Sequence, residues 1–251
     1  MNQSRRVRAA VLSYLCYGGA FSQRSFSSST VHALNICIIT GSTRTNGPPR
    51  PILNDRVTSY IQSSVSNRSS QHTVSVIRAR ENLPLLERPY FAYPKSQVPE
   101  ELSSIFETLS NADAYITITP EYNHSPCPGL MNLMNHFGSS TFGFKPSGIV
   151  SYSAGQWGGT RAAHALRPFL SELGCLPVSA MVHIPKVIEV LSENGDLLEV
   201  GSEEQWSGYV DRMISQLEWW GNAAKEHKEH HDPFLKSPAF QSSPSERNAP
   251  N

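Results

Sequence analysis

Residues 35–47 read Asn35-Ile36-Cys37-Ile38-Ile39-Thr40-Gly41-Ser42-Thr43-Arg44-Thr45-Asn46-Gly47, and the order of chemistry in that stretch decides the fold. Its first six residues form a short, nearly continuous apolar run, the pattern of a strand covered on both faces. The run ends at Gly41 and gives way to hydroxyls and one guanidinium. Apolar residues then return at Ile52, Leu53, Val57, Tyr60, Ile61 and Val65, a spacing that lines one stripe of a helix. A buried strand leaving through a polar turn into an amphipathic helix is the first half of a parallel βαβ unit.

The unit recurs outward from there. His72 to Ile77 alternates apolar and polar, predicting a strand nearer the sheet edge. Leu83 to Pro99, rich in proline and aromatics, reads as an irregular loop. Pro99 to Asn111 predicts a helix with Pro99, Glu100 and Glu101 suited to its positive end. Ala114 to Thr119 is a second β-branched strand, expected to stop at Pro120, and Pro128 to Phe137 is the helix after it. Ser147 to Ser151 is a buried strand followed by a glycine loop from Ala154 to Gly159. Thr160 to Leu173 is a helix closed by Gly174, with Pro168 expected to kink it or open its ladder near His164. Val178 to Ile184 is the last strand and Glu203 to Trp220 the last helix. Five strand–helix alternations predict an α/β fold, a parallel sheet with helices on both faces. In such sheets ligands bind outside the carboxyl ends of the strands.

The bulk numbers agree with an ordinary core: 251 residues, 39% of them apolar and 17% charged. Basic and acidic residues both number 21, a balance that argues for neither nucleic acid nor a membrane surface as partner. No uncharged apolar run is long enough to span a bilayer. Cys16, Cys37, Cys127 and Cys175 are scattered, without metal spacing, as expected of thiols in a reducing compartment.

The ends differ from the middle. Residues 1–34 contain no acid, hold Arg5, Arg6, Arg8 and Arg24, and carry a serine cluster from Ser25 to Ser29. That composition predicts a mitochondrial targeting segment, and Arg24-Ser25-Phe26-Ser27 resembles a processing site. A secretory signal centred on Ala9 to Ala20, or a plain disordered arm that leaves the domain in the cytoplasm, are the alternatives. Residues 222–251 read as a disordered tail, and His227, His230 and His231 within it as solvated side chains rather than metal ligands.

Three loops follow strand ends. The first, Gly41 to Gly47, offers hydroxyls, backbone amides near a helix start and Arg44, the parts of a phosphate cradle, or of a polar turn. Arg50, beyond Pro48 and Pro49, could reach the same phosphate or sit in solvent. It is neither GxGxxG nor GxxxxGK[ST]. The second, Pro120-Glu121-Tyr122-Asn123, can hydrogen-bond the polar edge of a heteroaromatic ring and pack Tyr122 on its face. Cys127 beside it has no partner cysteine and reads as structural. The third, Ser153 to Gly159, has three glycines that let backbone approach a flat ligand, or form a plain turn.

Together GSTR, PEYN and SAGxxGG, in that order from about Asn35 to Trp220, resemble the NADPH-dependent FMN reductase family, which includes quinone, azo-dye and chromate reductases. The resemblance implies a flavodoxin-like three-layer sandwich, a five-stranded parallel sheet of order 2-1-3-4-5, in a domain of residues 35–221. It implies FMN as cofactor and NADPH or NADH as co-substrate. Hydride would pass in a ping-pong reaction to a quinone, flavin or similar small-molecule acceptor. By the same resemblance Ser42, Thr43 and Arg44 hold the FMN phosphate. Pro120, Glu121, Tyr122 and Asn123 line the isoalloxazine, and Ser153, Gly155, Gly158 and Gly159 meet its pyrimidine end. The proline-rich GPPRP departs from relatives that carry a Ser or Asn there. An FMN-binding electron carrier without NAD(P)H activity is the rival reading. Trp157, Phe142, Met131 and Met134 are candidates for the surface of a homodimer or homotetramer, or for ordinary core. Trp206, Trp219 and Trp220 are expected to pack against the sheet.

Overall fold

Alternating side chains divide each strand between two cores. In β1 (Asn35–Thr40), Ile36 and Ile38 face one side of the sheet, Cys37 and Ile39 the other, and none is more than 1% exposed. Full burial of one branched side chain contributes roughly 1.5–3 kcal/mol, so a strand buried on both faces is stabilised twice over. The structure, a computed structural model, describes residues 33–48, 52–81, 83–199 and 202–236. The expectations for residues 1–32, for Arg50 and for residues 237–251 lie outside the described residues.

After β1 come β2 (Thr73–Arg78), β3 (Ala114–Tyr122), the short β4 (Ser125–Pro126), β5 (Pro146–Tyr152) and β6 (Leu176–Ile184). The parallel strands lie in the order β2-β1-β3-β5-β6, the expected 2-1-3-4-5, and β4 adds an antiparallel hairpin to the end of β3. β2 is at the edge, as its alternation predicts. Register stacks branched residues across the sheet, Ile38 between Val76 and Ile116, and Val150 between Ile118 and Val182.

One face is covered by α1 (Leu53–Arg68), α6 (Val187–Val190) and α7 (Glu203–His230). The other is covered by α2 (Glu100–Asn111), α3 (Pro128–Asn135), α4 (Ser139–Phe142) and α5 (Thr160–Glu172). A last turn, α8 (Pro233–Lys236), follows α7. The loop from Leu83 to Pro99 holds two 3₁₀ turns, Tyr90–Ala92 and Lys95–Gln97. Among the described residues no helix is long and apolar enough to cross a membrane.

Three expectations change. β3 does not stop at Pro120: that residue still lies opposite Tyr152 in β5, and the hairpin to β4 carries the strand on to Tyr122. Proline removes only its own N–H from the ladder, a loss that a strand end tolerates. α5 spans Thr160–Glu172 with Pro168 inside it, and the proline, lacking an N–H, opens the ladder at the His164 carbonyl as expected. Residues 222–230 are not a disordered tail, because α7 continues through them to His230. Gly221 reads as a stop but serves as a close contact, since a Cβ there would lie 2.8 Å from Leu34 Cδ1. Lys225 then holds the extension, donating to Ala33 O at 3.0 Å and to Asp113 Oδ2 at 2.9 Å. The third concerns the aromatics: Trp219 and Trp220 are 63% and 43% exposed rather than packed on the sheet, and of the three tryptophans of α7 only Trp206 packs against the core.

Candidate functional site

Three strand ends converge on one cavity of about 220 Å³, lined by Ser42 and Arg44, by Pro120, Glu121 and Tyr122, and by Ser153 and Ala154. It sits where the strand order reverses: β1 and β3 are neighbours, and their connections leave to opposite faces. A larger cleft of about 820 Å³ lies between α1 and the start of α7, away from every strand end. The smaller cavity is therefore the chemical candidate, because it gathers the turns in which strand-end amides and side chains point outward.

The first turn is shaped by contact with α3. A side chain at Gly41 would collide with Leu130 and Cys127, and one at Gly129 would lie 2.5 Å from Gly41 O. Only glycine at both positions lets the β1 turn rest on the start of α3. Ser42 is buried, 3% exposed, and its Oγ accepts from Arg44 N at 3.4 Å. Arg44 is exposed, and its Nη2 reaches Pro48 O at 3.5 Å. Thr43 turns away, its methyl packing toward Gly129, and is not part of the cavity wall.

α1 and β5 add two residues that the loop motifs do not announce. Asn54, 1% exposed, and Tyr152, 3% exposed, both line the cavity, and the Tyr152 hydroxyl donates to Asn54 Oδ1 at 3.2 Å. Burial pushes the Tyr152 hydroxyl well above its ordinary pKa, so it stays a donor. Asn54 Nδ2 is buried without a hydrogen-bond partner among the described residues. Leaving such a donor unmet costs about 1–3 kcal/mol, and an anionic group in the cavity would meet it. A buried polar residue at the second position of α1, amid an apolar stripe, is the sequence signal that could have exposed it.

In the second turn Glu121 lines the cavity and is also engaged in bonds of its own. Its Oε1 pairs with Arg161 Nη2 at 2.6 Å, and its Oε2 accepts from Arg161 N at 3.2 Å. Burial raises its pKa, but the bonds from Arg161 and Ala162 and the Arg161 charge outweigh that and hold it below the usual carboxylate value. Glu121 thus caps α5 and ties the second loop to the helix after the third. Tyr122 is 39% exposed at the mouth. Asn123 and His124, with φ of 51° and 64°, form the two-residue hairpin turn, which carries the Asn123 side chain out of the wall. Cys127 is buried behind the turn, its N–H donating to Thr119 Oγ1 at 3.0 Å, and burial raises its thiol pKa. That is the structural role expected of it.

The third turn is held by its own bonds. Ser153 Oγ donates to Gly155 O at 2.7 Å and accepts from Gly158 N at 3.0 Å. Ser151 Oγ donates to Gly158 O at 2.7 Å and lies 2.7 Å from His183 Nδ1. Gly158 and Gly159 have φ of 59° and 75°, and what approaches them is this protein's own chain. A Cβ would lie 3.1 Å from Pro185 N at the first and 2.9 Å from Ser151 Cβ at the second. Gly155 has open space around it, and none of the three glycines lines the cavity. Of the proposed oligomer surface, Trp157 is 62% exposed, whereas Phe142 and Met134 are fully buried core.

The cavity fits a phosphate joined to a flat ring. One side offers Ser42, Arg44 and the unmet Asn54 amide; the other offers Pro120, Tyr122 and the Ser153–Ala154 backbone. Among the described residues no three His, Cys, Asp or Glu side chains are grouped to hold a metal.

Comparison with known proteins agrees. An NAD(P)H-dependent FMN reductase of Pseudomonas aeruginosa is 29% identical over 126 residues, covering 49% of this chain and 66% of that one. A 2-hydroxy-1,4-benzoquinone reductase of Burkholderia is 24% identical over 188 residues, covering 73% of this chain and 96% of that one. The chain thus spans just under two thirds of the Pseudomonas relative's length. The solved structure of FerB, an NAD(P)H:(acceptor) oxidoreductase of Paracoccus denitrificans, superposes with a TM-score of 0.58 at 20% identity, covering 74% of this chain and 98% of that one, and supports the fold. These relatives are bacterial, and bacteria have no mitochondrion; the mitochondrial address expected for residues 1–34 is therefore withdrawn. Residues 34–189 match the family described as NADPH-dependent FMN reductase, and the chain belongs to that family.

Proposed function

We propose that this chain is an NAD(P)H-dependent, FMN-containing oxidoreductase that delivers electrons to a quinone, a flavin or a similar small acceptor by a ping-pong route. Bound FMN supplies the redox chemistry, a two-electron relay between nicotinamide nucleotide and acceptor. The protein's own work is binding and orientation. Ser42, Arg44 and Asn54 hold the phosphate, with the Asn54 amide gaining the partner it lacks. Pro120 and Tyr122 on one side and Ser153 on the other bound the ring, and Glu121 with Arg161 keeps those two walls at fixed separation. Tyr122, exposed on the cavity wall, borders the open side, where nicotinamide and acceptor take turns. Among the described wall residues the one carboxylate, Glu121, is taken up by Arg161, in keeping with chemistry carried by the cofactor.

The observation that carries this reading is the buried, unpartnered Asn54 amide beside Ser42 and Arg44 in a cavity walled by three strand-end loops. The activities for which these relatives are named, FMN and benzoquinone reduction, support that acceptor class. We take the working unit as a homodimer or homotetramer, with the exposed Trp157 at its contact. Steady-state assays with NADH and NADPH against quinones, azo dyes and free FMN test the reading. Parallel double-reciprocal lines support it, and no turnover with any pair sinks it.

A further inference from the structure

The far end of the sheet carries a second cavity that the flavin site does not use. Pro146 begins β5 and Leu176 begins β6, and a groove of about 490 Å³ opens between these strand starts and the last turns of α7. That size is typical of a pocket for a small organic molecule, about 300–1,000 Å³. Its wall is mostly apolar, with Phe144, Leu176, Trp220 and Ala224 exposed or half-buried along it.

Three observations single it out. Phe144 has φ of 61°, a backbone conformation that a bulky aromatic residue rarely adopts. Its N–H bond to Gly174 O at 3.1 Å, and its ring set edge-on to Phe234 at 5.4 Å, keep it there. Next, the groove wall holds two lysines and no carboxylate; Asp232 lines an adjoining cavity, and its Oδ1 accepts from Phe234 N at 2.9 Å. Lys145 Nζ spends its donors on Leu109 O, Ser110 O and the Tyr115 hydroxyl, at 2.9–3.0 Å. Half-buried Lys228 has no hydrogen-bond or ion-pair partner among the described residues. Asp113, the carboxylate that acts on it, is engaged by Lys225 at 2.9 Å. Burial lowers the pKa of both lysines, that of Lys145 to about 8, with the Lys228 charge adding to it. Finally, His231 also lines the groove, and its Nδ1 is buried without a partner among the described residues. Excess positive charge beside an apolar slot, with one unmet buried polar atom, asks for an anion that carries its own apolar body.

We propose that this groove binds a small aromatic carboxylate, its ring between Trp220 and Leu176 and its carboxylate on Lys228. The site lies at the opposite end of the strands from the flavin cavity, so it is filled independently of FMN.

The probe is naphthalene-2-carboxylate, titrated by calorimetry into the full chain saturated with FMN, with the neutral amide as control. One molecule per chain is expected, and the carboxylate should bind roughly tenfold more tightly than the amide, the usual worth of a charged hydrogen bond. Lys228→Met should bring the carboxylate down to the amide's affinity. Ala224→Trp, which fills the slot, should abolish binding of both while leaving FMN affinity unchanged. Equal affinity for acid and amide, or no effect of either substitution, overturns the proposal. So does displacement of bound FMN by the probe, which would put the probe at the flavin site. Binding seen only after removal of residues 237–251 also overturns it, by giving the groove to this chain's own tail.

Discussion

Glu121 and Arg161, forty positions apart, meet at 2.6 Å and join the turn after β3 to the helix after β5. Glu121 is 9% exposed and Arg161 44%, so the pair is shielded on its acidic side and open on its basic side. Cutting it should loosen the flavin wall rather than unfold the chain. Glu121→Ala is expected to weaken FMN binding about tenfold, the worth of one charge-assisted hydrogen bond. Fluorescence titration of FMN measures it, and unchanged affinity removes the pair from the site.

The same pair has a pH signature. Glu121 has a lowered pKa when folded, so its stabilising contribution is complete above the ordinary carboxylate value of 4.5 and is lost as pH falls through its own lower value. FMN affinity should therefore hold steady at neutral pH and decline in the acid range. In Glu121→Gln that step should be absent. An identical acid profile in both proteins would assign the titration to another group.

Asn54 supplies the sharpest test of the phosphate assignment. Asn54→Asp keeps size and the acceptor for the Tyr152 hydroxyl but replaces the unmet amide with a negative charge beside the anion. Loss of FMN affinity should be on the order of a hundredfold, from a lost hydrogen bond and added repulsion in a buried site. Arg44→Ala should cost less, since Arg44 is exposed and water screens it. Equal FMN affinity of wild type and Asn54→Asp would remove the phosphate from that wall.

The glycines of the third turn should separate by role. Gly159→Ala puts a Cβ 2.9–3.0 Å from Ser151 and Tyr152 at φ 75°, so the protein should lose roughly 1–3 kcal/mol of stability. Gly155→Ala meets open space and should leave thermal stability unchanged. Urea unfolding of both variants decides whether the motif is a packing device or a ligand surface.

The strands were legible as short runs bounded by turn residues, continuous and buried in β1, β3 and β5 and alternating at the edge in β2. Ends were less legible. Pro120 and Gly221 look like stops, yet one sits where a strand can spare an N–H and the other lets α7 lie against Leu34. The site was legible as three turns, since their chemistry departs from the apolar runs around them. What each side chain does there was not. Thr43, Asn123 and the Gly158–Gly159 pair belong to the motifs but are not on the cavity wall, and the two glycines lie close against the protein's own chain. Asn54 and Tyr152 lie outside the motifs yet line the cavity, and the contact between α1 and β5 that joins them spans 98 positions of sequence.

The central claim, a flavin held in this cavity and reduced by a nicotinamide nucleotide, is tested most directly by anaerobic spectroscopy of the purified protein. The account predicts a yellow protein whose flavin absorbance bleaches on addition of NADPH or NADH and returns when a quinone is added. A yellow protein that stays oxidised with both nucleotides would contradict it and leave an FMN-binding carrier in its place.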